Sequence, residues 1–239
     1  MLLRAKGELC SRHLVATDGR IGAVRDVYLD DARWVVRYLE VEAGDEGVGG
    51  RKVLISPSSI RRDAGSDKDI AVALTREQVR NSPGADQDMP VSRQFEEAHA
   101  RYYGYPFYWD GPYLWGSSPH PVSGEPSVTL TPRGEVAGER VRELKEAEQR
   151  ARESHLRSSE EVIGYRLVAT DGPAGHVEDF LIDDSDWRIT DIVIDTRTWL
   201  PSDHLRLPTS AVAKVDWATR EVRLNLARAE VGKAPKAQT

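Results

Sequence analysis

The sequence predicts a mainly β protein: two small β-barrels in tandem, joined by an aromatic-rich segment and a charged helix. Three observations support this class. One stretch of the chain occurs twice, each copy divides into short strands separated by turn residues, and the residues between the copies differ in composition. Self-similarity at a fixed spacing indicates a repeated structural unit, so both copies are expected to fold alike.

The duplicated stretch keeps one register over many residues. Leu14 to Gly19 reads Leu-Val-Ala-Thr-Asp-Gly, and Leu167 to Gly172, 153 positions later, reads the same. Further identities in this register are Gly22 with Gly175, Val24 with Val177, Asp26 with Asp179, Asp30-Asp31 with Asp183-Asp184, and Trp34 with Trp187. The number of matches in one register indicates an internal duplication.

Each copy begins with a turn and a long strand. Thr-Asp-Gly favours a turn, because Asp bonds its own downstream backbone and Gly accepts positive φ. The strand after it, Ile21 to Leu29, changes the parity of its apolar positions, which predicts a β-bulge. Gly22 and Gly175 lie just before that change, where we expect an open backbone conformation or a close approach of strands. The Asp-Asp pairs predict hairpin turns in preference to weak cation sites.

The remaining strands follow in the same order in both copies. They run from Trp34 to Val41, Lys52 to Ile55 and Ile70 to Leu74, and from Trp187 to Ile194, His204 to Leu207 and Val222 to Leu226. Five short strands with turns between them are typical of a small barrel or sandwich. Trp34 and Trp187 open equivalent strands, and packing in the core or at the barrel rim is expected for both.

These motifs resemble the PRC-barrel family, which includes the cytoplasmic domain of the photosynthetic reaction-centre H subunit and the C-terminal domain of the ribosome maturation factor RimM. The likeness rests on Thr-Asp-Gly-x-x-Gly-x-Val-x-Asp, the acidic turn before Trp34, the strand 51–55, and Leu74-Thr75-Arg76-Glu77 leading to Asn81-Ser82-Pro83. The second copy keeps the first two features and departs at the others. The resemblance implies a compact β-barrel with a protein-docking role, and it carries over no catalytic residue.

Composition limits the classes of partner. The 239 residues carry a net charge of −6, which does not steer a chain toward phosphate backbones or anionic membranes. No apolar run reaches the roughly 18–20 residues that span a bilayer, and residues 1–10 lack the core of a secretory signal. We therefore expect a cytoplasmic protein without a transmembrane segment and without nucleic acid as its main partner. The single cysteine, Cys10, excludes an intramolecular disulfide and suits a buried apolar position.

The predicted organisation is barrel one at 1–83, the connecting region at 84–155, barrel two at 156–231 and a disordered tail at 232–239. A short helix is expected at 94–103 and a charged helix at 135–154. The connecting region concentrates the aromatic residues, and its candidate interface residues are Tyr102, Tyr103, Tyr105, Phe107, Tyr108, Trp109, Tyr113 and Trp115. So many aromatics would be costly to leave in water. We expect an internal clasp or a subunit interface in preference to an open partner site.

The sequence offers no constellation that carries chemistry. The six histidines show no ligand-like spacing, so no metal is expected. Gly19-x-x-Gly22 and Gly172-x-x-Gly175 lead into strands, whereas a phosphate loop leads into a helix. No nucleophile motif is present, and we predict no catalytic residue and no cofactor.

Two functions from different classes remain. The first is a non-enzymatic docking or assembly module with an unidentified protein partner. Because each barrel is small and must cover apolar surface, we expect a pseudo-twofold relation between the barrels or a homodimer. The second is a small-ligand-binding or sensor protein, with a pocket between the barrels or under the aromatic segment.

Overall fold

The fold comes from a computed structural model, which describes residues 1–44, 50–61, 68–84, 91–122, 156–197 and 204–237. The chain is mainly β, as predicted. The strands are β1 Leu2–Arg4, β2 His13–Ala16, β3 Gly19–Asp30, β4 Val35–Ala43, β5 Arg51–Ile55, β6 Asp69–Ala71, β7 Leu156–Ser158, β8 Arg166–Ala169, β9 Gly172–Asp183, β10 Arg188–Asp195, β11 Leu205–Pro208, β12 Val212–Asp216 and β13 Glu221–Leu224. The helices are α1 Arg76–Arg80, α2 Arg93–Tyr103, α3 Ser159–Val162 and α4 Arg228–Val231. Within these parts of the chain, no helix has both the length and the apolar character needed to cross a bilayer.

All of these strands belong to one sheet. Its path is β12-β13-β8-β9-β10-β4-β3-β2-β6, with β1 beside β9, β11 beside β10, β5 beside β4 and β7 beside β3. Among the described residues the end strands β12 and β6 do not pair with each other, so the sheet runs open from one half of the chain to the other.

The two halves exchange their first strands. β1 of the first half pairs antiparallel with β9 of the second, with Leu3 opposite Ile182. β7 of the second half pairs with β3 of the first, with Leu29 opposite Arg157. Each half therefore needs a strand from the other half to extend its longest hairpin.

A reciprocal junction joins the halves at the centre of the sheet. Val35 of β4 lies opposite Arg188 of β10. The Val36 N–H donates to the Trp187 carbonyl at 2.8 Å, and the Ile189 N–H donates to the Trp34 carbonyl at 2.7 Å. These residues are equivalent in the sequence repeat, so the junction has a local twofold relation. One continuous core of buried residues draws on both halves.

The predicted bulges are present in both long strands. Arg25 is the extra residue between the pairs Val24–Val41 and Asp26–Glu40. Glu178 is the extra residue at the equivalent place in β9. Each bulge turns the next side chain, Asp26 or Asp179, into the protein, where both carboxyl groups are buried.

These two buried aspartates hold the exchanged strands in place. Asp26 accepts hydrogen bonds from the Ser159 hydroxyl at 2.8 Å, from the Glu160 N–H at 3.1 Å and from the Ser158 hydroxyl. Asp179 accepts from the N–H groups of Lys6 at 2.9 Å and Gly7 at 3.2 Å. In each half the buried aspartate of the repeat therefore accepts hydrogen bonds from residues that directly follow the first strand of the other half.

A second, smaller core covers the outer face of the first half. Tyr28, Tyr38 and Leu54 point away from the main core and are buried beneath Val91, Leu156 and Phe95 of α2. This explains why Val53, Leu54 and Ile55 are all buried: Val53 and Ile55 face the main core, and Leu54 between them faces the smaller one. The helix predicted at 94–103 is confirmed as α2.

Several boundaries differ from the sequence prediction. β12 was not predicted as a strand, because a register irregularity between Val212 and Lys214 breaks its alternation. The tail was predicted to be disordered from residue 232, which is wrong for residues 232–237. There the Arg206 N–H donates to the Pro235 carbonyl and the Ala237 N–H donates to the His204 carbonyl, so the tail pairs with the edge of β11. The charged helix predicted at 135–154 lies outside the described residues.

Candidate functional site

Helix α2 delivers the chain into the aromatic segment. The Ser92 hydroxyl caps its first turn by accepting from the Phe95 N–H at 3.2 Å. Gly104 ends the helix with a left-handed φ of 71°, a conformation that glycine adopts without steric cost. From Gly104 the chain runs over the first half without regular strands or helices, and residues 102–115, which include the last two residues of α2, are called the aromatic clasp below.

The clasp is organised around Arg37, a side chain only 1% exposed in the middle of β4. Its guanidinium donates to Asp30 Oδ2 through Nη2 at 3.0 Å and through Nε at 3.3 Å. Its Nη1 donates to the Leu114 carbonyl at 2.7 Å, and the guanidinium lies 3.7 Å from the centroid of the Tyr108 ring. Burial lowers the pKa of Arg37, and the Asp30 carboxylate opposes that effect.

Tyr108 connects Arg37 to a second buried ion pair. Its hydroxyl donates to Glu96 Oε1 at 2.5 Å, and Arg93 Nη1 lies 3.0 Å from Glu96 Oε2. The Arg93 guanidinium also lies 4.1 Å from the centroid of the Trp109 ring. Burial raises the pKa of Glu96 to about 7, against the stabilising charge of Arg93.

Polar contacts also fix the clasp and its helix to the first half. The buried His99 Nε2–H donates to the Leu54 carbonyl at 2.8 Å, and its ring meets the edge of Tyr38. Burial lowers the pKa of His99 to about 4, so the neutral imidazole is favoured. The hydroxyls of Tyr105 and Ser59 share a hydrogen bond of 2.6 Å.

The far end of the clasp reaches the second half. Trp115 is 5% exposed, and its indole N–H donates to the Asp186 carbonyl at 2.8 Å. Arg33 Nη1 donates to the Tyr113 carbonyl at 3.1 Å. The clasp therefore bridges both halves beside their junction, next to the strand ends that carry Trp34 and Trp187.

The candidate interface residues divide by exposure. Trp115 is buried, and Tyr103, Tyr105, Phe107, Tyr108 and Trp109 are partly buried. Tyr102 is 42% exposed and Tyr113 is 52% exposed. Phe107 and Trp109 stack with centroids 4.8 Å apart and planes 11° apart, which fixes both rings at the surface.

Four residues of the repeat have constrained backbone positions: Gly22, Gly175, Trp34 and Trp187. A Cβ at Gly22 would stand 1.9 Å from the Glu42 carbonyl oxygen, and one at Gly175 would stand 2.0 Å from the Asp195 carbonyl oxygen. The expected close approach of strands at these glycines is therefore confirmed. Trp34 and Trp187 both have left-handed φ, 52° and 64°, just before β4 and β10. Trp187 is buried, whereas Trp34 is partly buried against the core.

The acidic turns act as turns in the structure. Asp30 Oδ1 accepts from the N–H groups of Ala32 and Arg33, and Asp183 Oδ1 accepts from the Ser185 N–H. Over the described ranges, no group of three or more His, Cys, Asp or Glu side chains is arranged to hold a metal ion. Cys10 is partly buried, and burial followed by the charges of Asp26 and Asp179 raises its thiol pKa to about 12.

Sequence reasoning missed Arg37, Glu96 and His99. Comparison of the two copies contains a signal for Arg37. The equivalent residue of the second copy is Thr190, and only the first copy is followed by an aromatic segment, so the arginine differs between the copies where the segment does. Glu96 and His99 lie on the inner face of α2, and their sequence spacing resembles that of any exposed polar pair.

The cavity beneath the clasp is small. Arg37, His99, Tyr105 and Trp115 are among the residues around it, and its volume is about 20 Å³. This is room for a single water molecule. No protein-family model matches the chain, and none of the curated proteins matches it.

Proposed function

We propose that the chain is a non-enzymatic docking or assembly protein whose two halves are tandem PRC-type barrels. Three shared features support the repeat: bulges at Arg25 and Glu178, buried aspartates after them, and the reciprocal exchange of β1 and β7. The family resemblance implies docking in place of catalysis.

One observation carries the docking role: the aromatic clasp is fixed from beneath and presents aromatic surface outward. Arg37, Glu96 and Ser59 hold its inner side by the bonds described above. Tyr113 and Tyr102 remain 52% and 42% exposed. A surface that is already ordered loses little conformational entropy on association, so its contacts contribute more fully to affinity.

The chemistry of the exposed surface suits an acidic protein partner. Tyrosine, tryptophan and arginine are the residues that most often dominate binding energy at protein interfaces. Arg33 and Arg101 are exposed beside the clasp, with Arg33 bonded to the Tyr113 backbone and Arg101 6.0 Å from the Phe107 ring. Arg101 is already paired with Glu97 at 3.4 Å, so Arg33 is the charge that would complement carboxylates on the partner and accelerate encounter.

The alternative function requires a ligand pocket between the halves or under the aromatic segment. The cavity under the clasp has room for one water, and a small organic ligand needs several times that volume. The packing of the clasp therefore favours docking over a ligand sensor at this place.

The test is affinity purification from the native cell with a double variant, Tyr102→Ser with Tyr113→Ser. The matched control is Val122→Ser, which removes another apolar side chain, 47% exposed, outside the clasp. We expect the control to recover the same partner as the native chain, and the double variant to recover at least tenfold less. Because the Tyr102 hydroxyl donates to the Gln78 carbonyl at 2.9 Å, Tyr113→Ser alone is compared as well, and it should reduce recovery with unchanged melting. Equal recovery by the double variant would overturn the assignment of the surface. Sedimentation distinguishes a second copy of the chain from a different protein.

A further inference from the structure

A second cleft in the first half is lined by different residues from those of the cavity beneath the clasp. It lies between the start of β3, the end of β4, β5 and helix α1, and its volume is about 150 Å³. Its floor is aliphatic, formed by Ile21, Val53 and Val79. Its rim carries three arginines, Arg51, Arg76 and Arg80. These six residues define what is called the arginine cleft.

Specific contacts place the Arg51 side chain and the backbone of helix α1. Arg51 donates through Nη1 to the Arg80 carbonyl at 2.6 Å and through Nη2 to the Ser82 carbonyl at 2.7 Å, which ties β5 to the end of α1. The Arg76 N–H donates to Asp18 Oδ1 at 2.8 Å, which fixes the start of α1. The position of α1 beside β5, from which Arg76 and Arg80 extend, is therefore a defined part of the fold.

Across the described ranges, none of the three guanidinium groups forms an ion pair, and no carboxylate lines the cleft. Arg51 donates to two backbone carbonyls, so its charge has no anionic partner either. Arg76 and Arg80 stand four residues apart on α1, so like charges face each other, an arrangement that destabilises a helix unless an anion intervenes. In a chain of net charge −6, a cleft whose charged lining residues are all arginines creates a local field that attracts anions.

The second half has no such set. Arg228 occupies the place of Arg76, because its N–H donates to Asp171 as the Arg76 N–H donates to Asp18. Gly232 follows Val231 where Arg80 follows Val79. The three-arginine rim therefore belongs to the first half and is not a requirement of the repeated fold.

We propose that the arginine cleft binds an organic carboxylate whose apolar body rests on the aliphatic floor. A guanidinium fork matches a carboxylate with two parallel hydrogen bonds. A volume near 150 Å³ accommodates a group about the size of a benzene ring, and burial of that group against Ile21, Val53 and Val79 adds apolar stabilisation. The clasp contacts α1 through the Tyr102 hydroxyl, which donates to the Gln78 carbonyl at 2.9 Å, but no clasp residue lines the cleft. The proposal therefore does not depend on the docking function.

The experiment is an NMR titration of the full-length ¹⁵N-labelled chain with benzoate, and with benzamide as the neutral isostere. We expect saturable shifts of the amide signals of Gly44 and of α1, with benzamide at least tenfold weaker. Inorganic phosphate is a second probe. Binding of phosphate without benzoate would overturn the apolar part of the proposal, and equal binding of benzamide would overturn the ionic part.

Substitutions locate the site. Arg76→Gln and Arg80→Gln are each expected to weaken benzoate at least tenfold, and the matched control Arg228→Gln to leave it unchanged. Unchanged binding in both cleft variants, with native melting, would overturn the assignment. A short peptide ending in a Phe carboxylate, compared with its amide, identifies the source of the carboxylate. Tighter binding than benzoate supports a polypeptide end, and weaker binding supports a free acid.

Discussion

Replacement of Arg37 by methionine should remove the main polar contacts between the aromatic clasp and the sheet and so destabilise the protein. Methionine keeps much of the volume but removes the two contacts to Asp30, the donor to the Leu114 carbonyl and the cation over Tyr108. The Asp30 carboxylate, 6% exposed, then keeps only the N–H donors of Ala32 and Arg33.

The size of the effect follows from that geometry. Breaking a buried ion pair by removing one partner costs about 3–5 kcal/mol. The two remaining N–H donors reduce the cost at Asp30, whereas the unsatisfied Leu114 carbonyl adds about 1–3 kcal/mol. We expect a net loss of about 4 kcal/mol in the free energy of unfolding, which for a chain of this size lowers Tm by roughly 8–16 °C.

Urea unfolding followed by tryptophan fluorescence measures this loss, since Trp109 and Trp115 lie in the clasp. The matched control is Thr190→Val at the equivalent position of the second half, where the hydroxyl bonds locally to Asp191 and a change of about 1 kcal/mol or less is expected. The double variant Arg37→Met with Asp30→Asn should recover part of the loss, because it removes the unpaired charge. A single variant within about 1 kcal/mol of the native protein would refute the role of Arg37 as the centre of the clasp.

Three further predictions concern the backbone, the titrating groups and the exchanged strands. Gly22→Ala and Gly175→Ala should each destabilise the protein by at least about 2 kcal/mol in thermal melts, because a Cβ meets a carbonyl oxygen at 1.9 Å or 2.0 Å. Gly164→Ala, with φ of +92° and no atom within 4 Å, should cost about 1 kcal/mol, and equal effects at the three sites would contradict the steric explanation. Folding raises the pKa of Glu96 from about 4.5 to about 7, so the contribution of Glu96 to stability falls as pH rises through this range. Folding lowers the pKa of His99 from about 6.5 to about 4, so the contribution of His99 rises with pH over that range. Glu96→Gln should therefore reveal a stability that rises with pH from about 4 to 6.5, and a profile identical to that of the native protein would show that Glu96 does not titrate in this range. Asp26→Asn should reduce hydrogen-exchange protection at the β7–β3 pairing and Asp179→Asn at the β1–β9 pairing, whereas uniform loss across the sheet in both variants would argue against separate roles for the two carboxylates.

The features that sequence predicted are local and occur twice. The bulge at Arg25 followed from a parity change that recurs at Glu178, and the turn role of Asp30 followed from short acceptors before a strand. The close approach at Gly22 and Gly175 followed from their position before the bulge. Each of these depends on a few neighbouring residues, so one sequence with an internal copy was sufficient.

The features that sequence missed depend on distant partners. The exchange of β1 and β7 leaves no local signal, because Leu2–Arg4 reads as a short strand whichever hairpin it joins. The burial of Arg37 is set by Tyr108 and Leu114, which lie more than 70 residues away in sequence. The order of residues 232–237 likewise depends on the open edge of β11, which a polar composition does not reveal.

Site-specific photo-crosslinking in the native cell tests the docking role most directly. A photoreactive phenylalanine analogue at position 113 lies on the exposed part of the clasp, and one at Ala218 lies on the exposed turn between β12 and β13. The docking role predicts one dominant protein adduct from position 113 that is absent from position 218. When the crosslinking is repeated in a cell lysate, high salt should weaken this adduct, since Arg33 contributes to the surface. The same adducts from both positions, or none from position 113 in a folded protein, would contradict it.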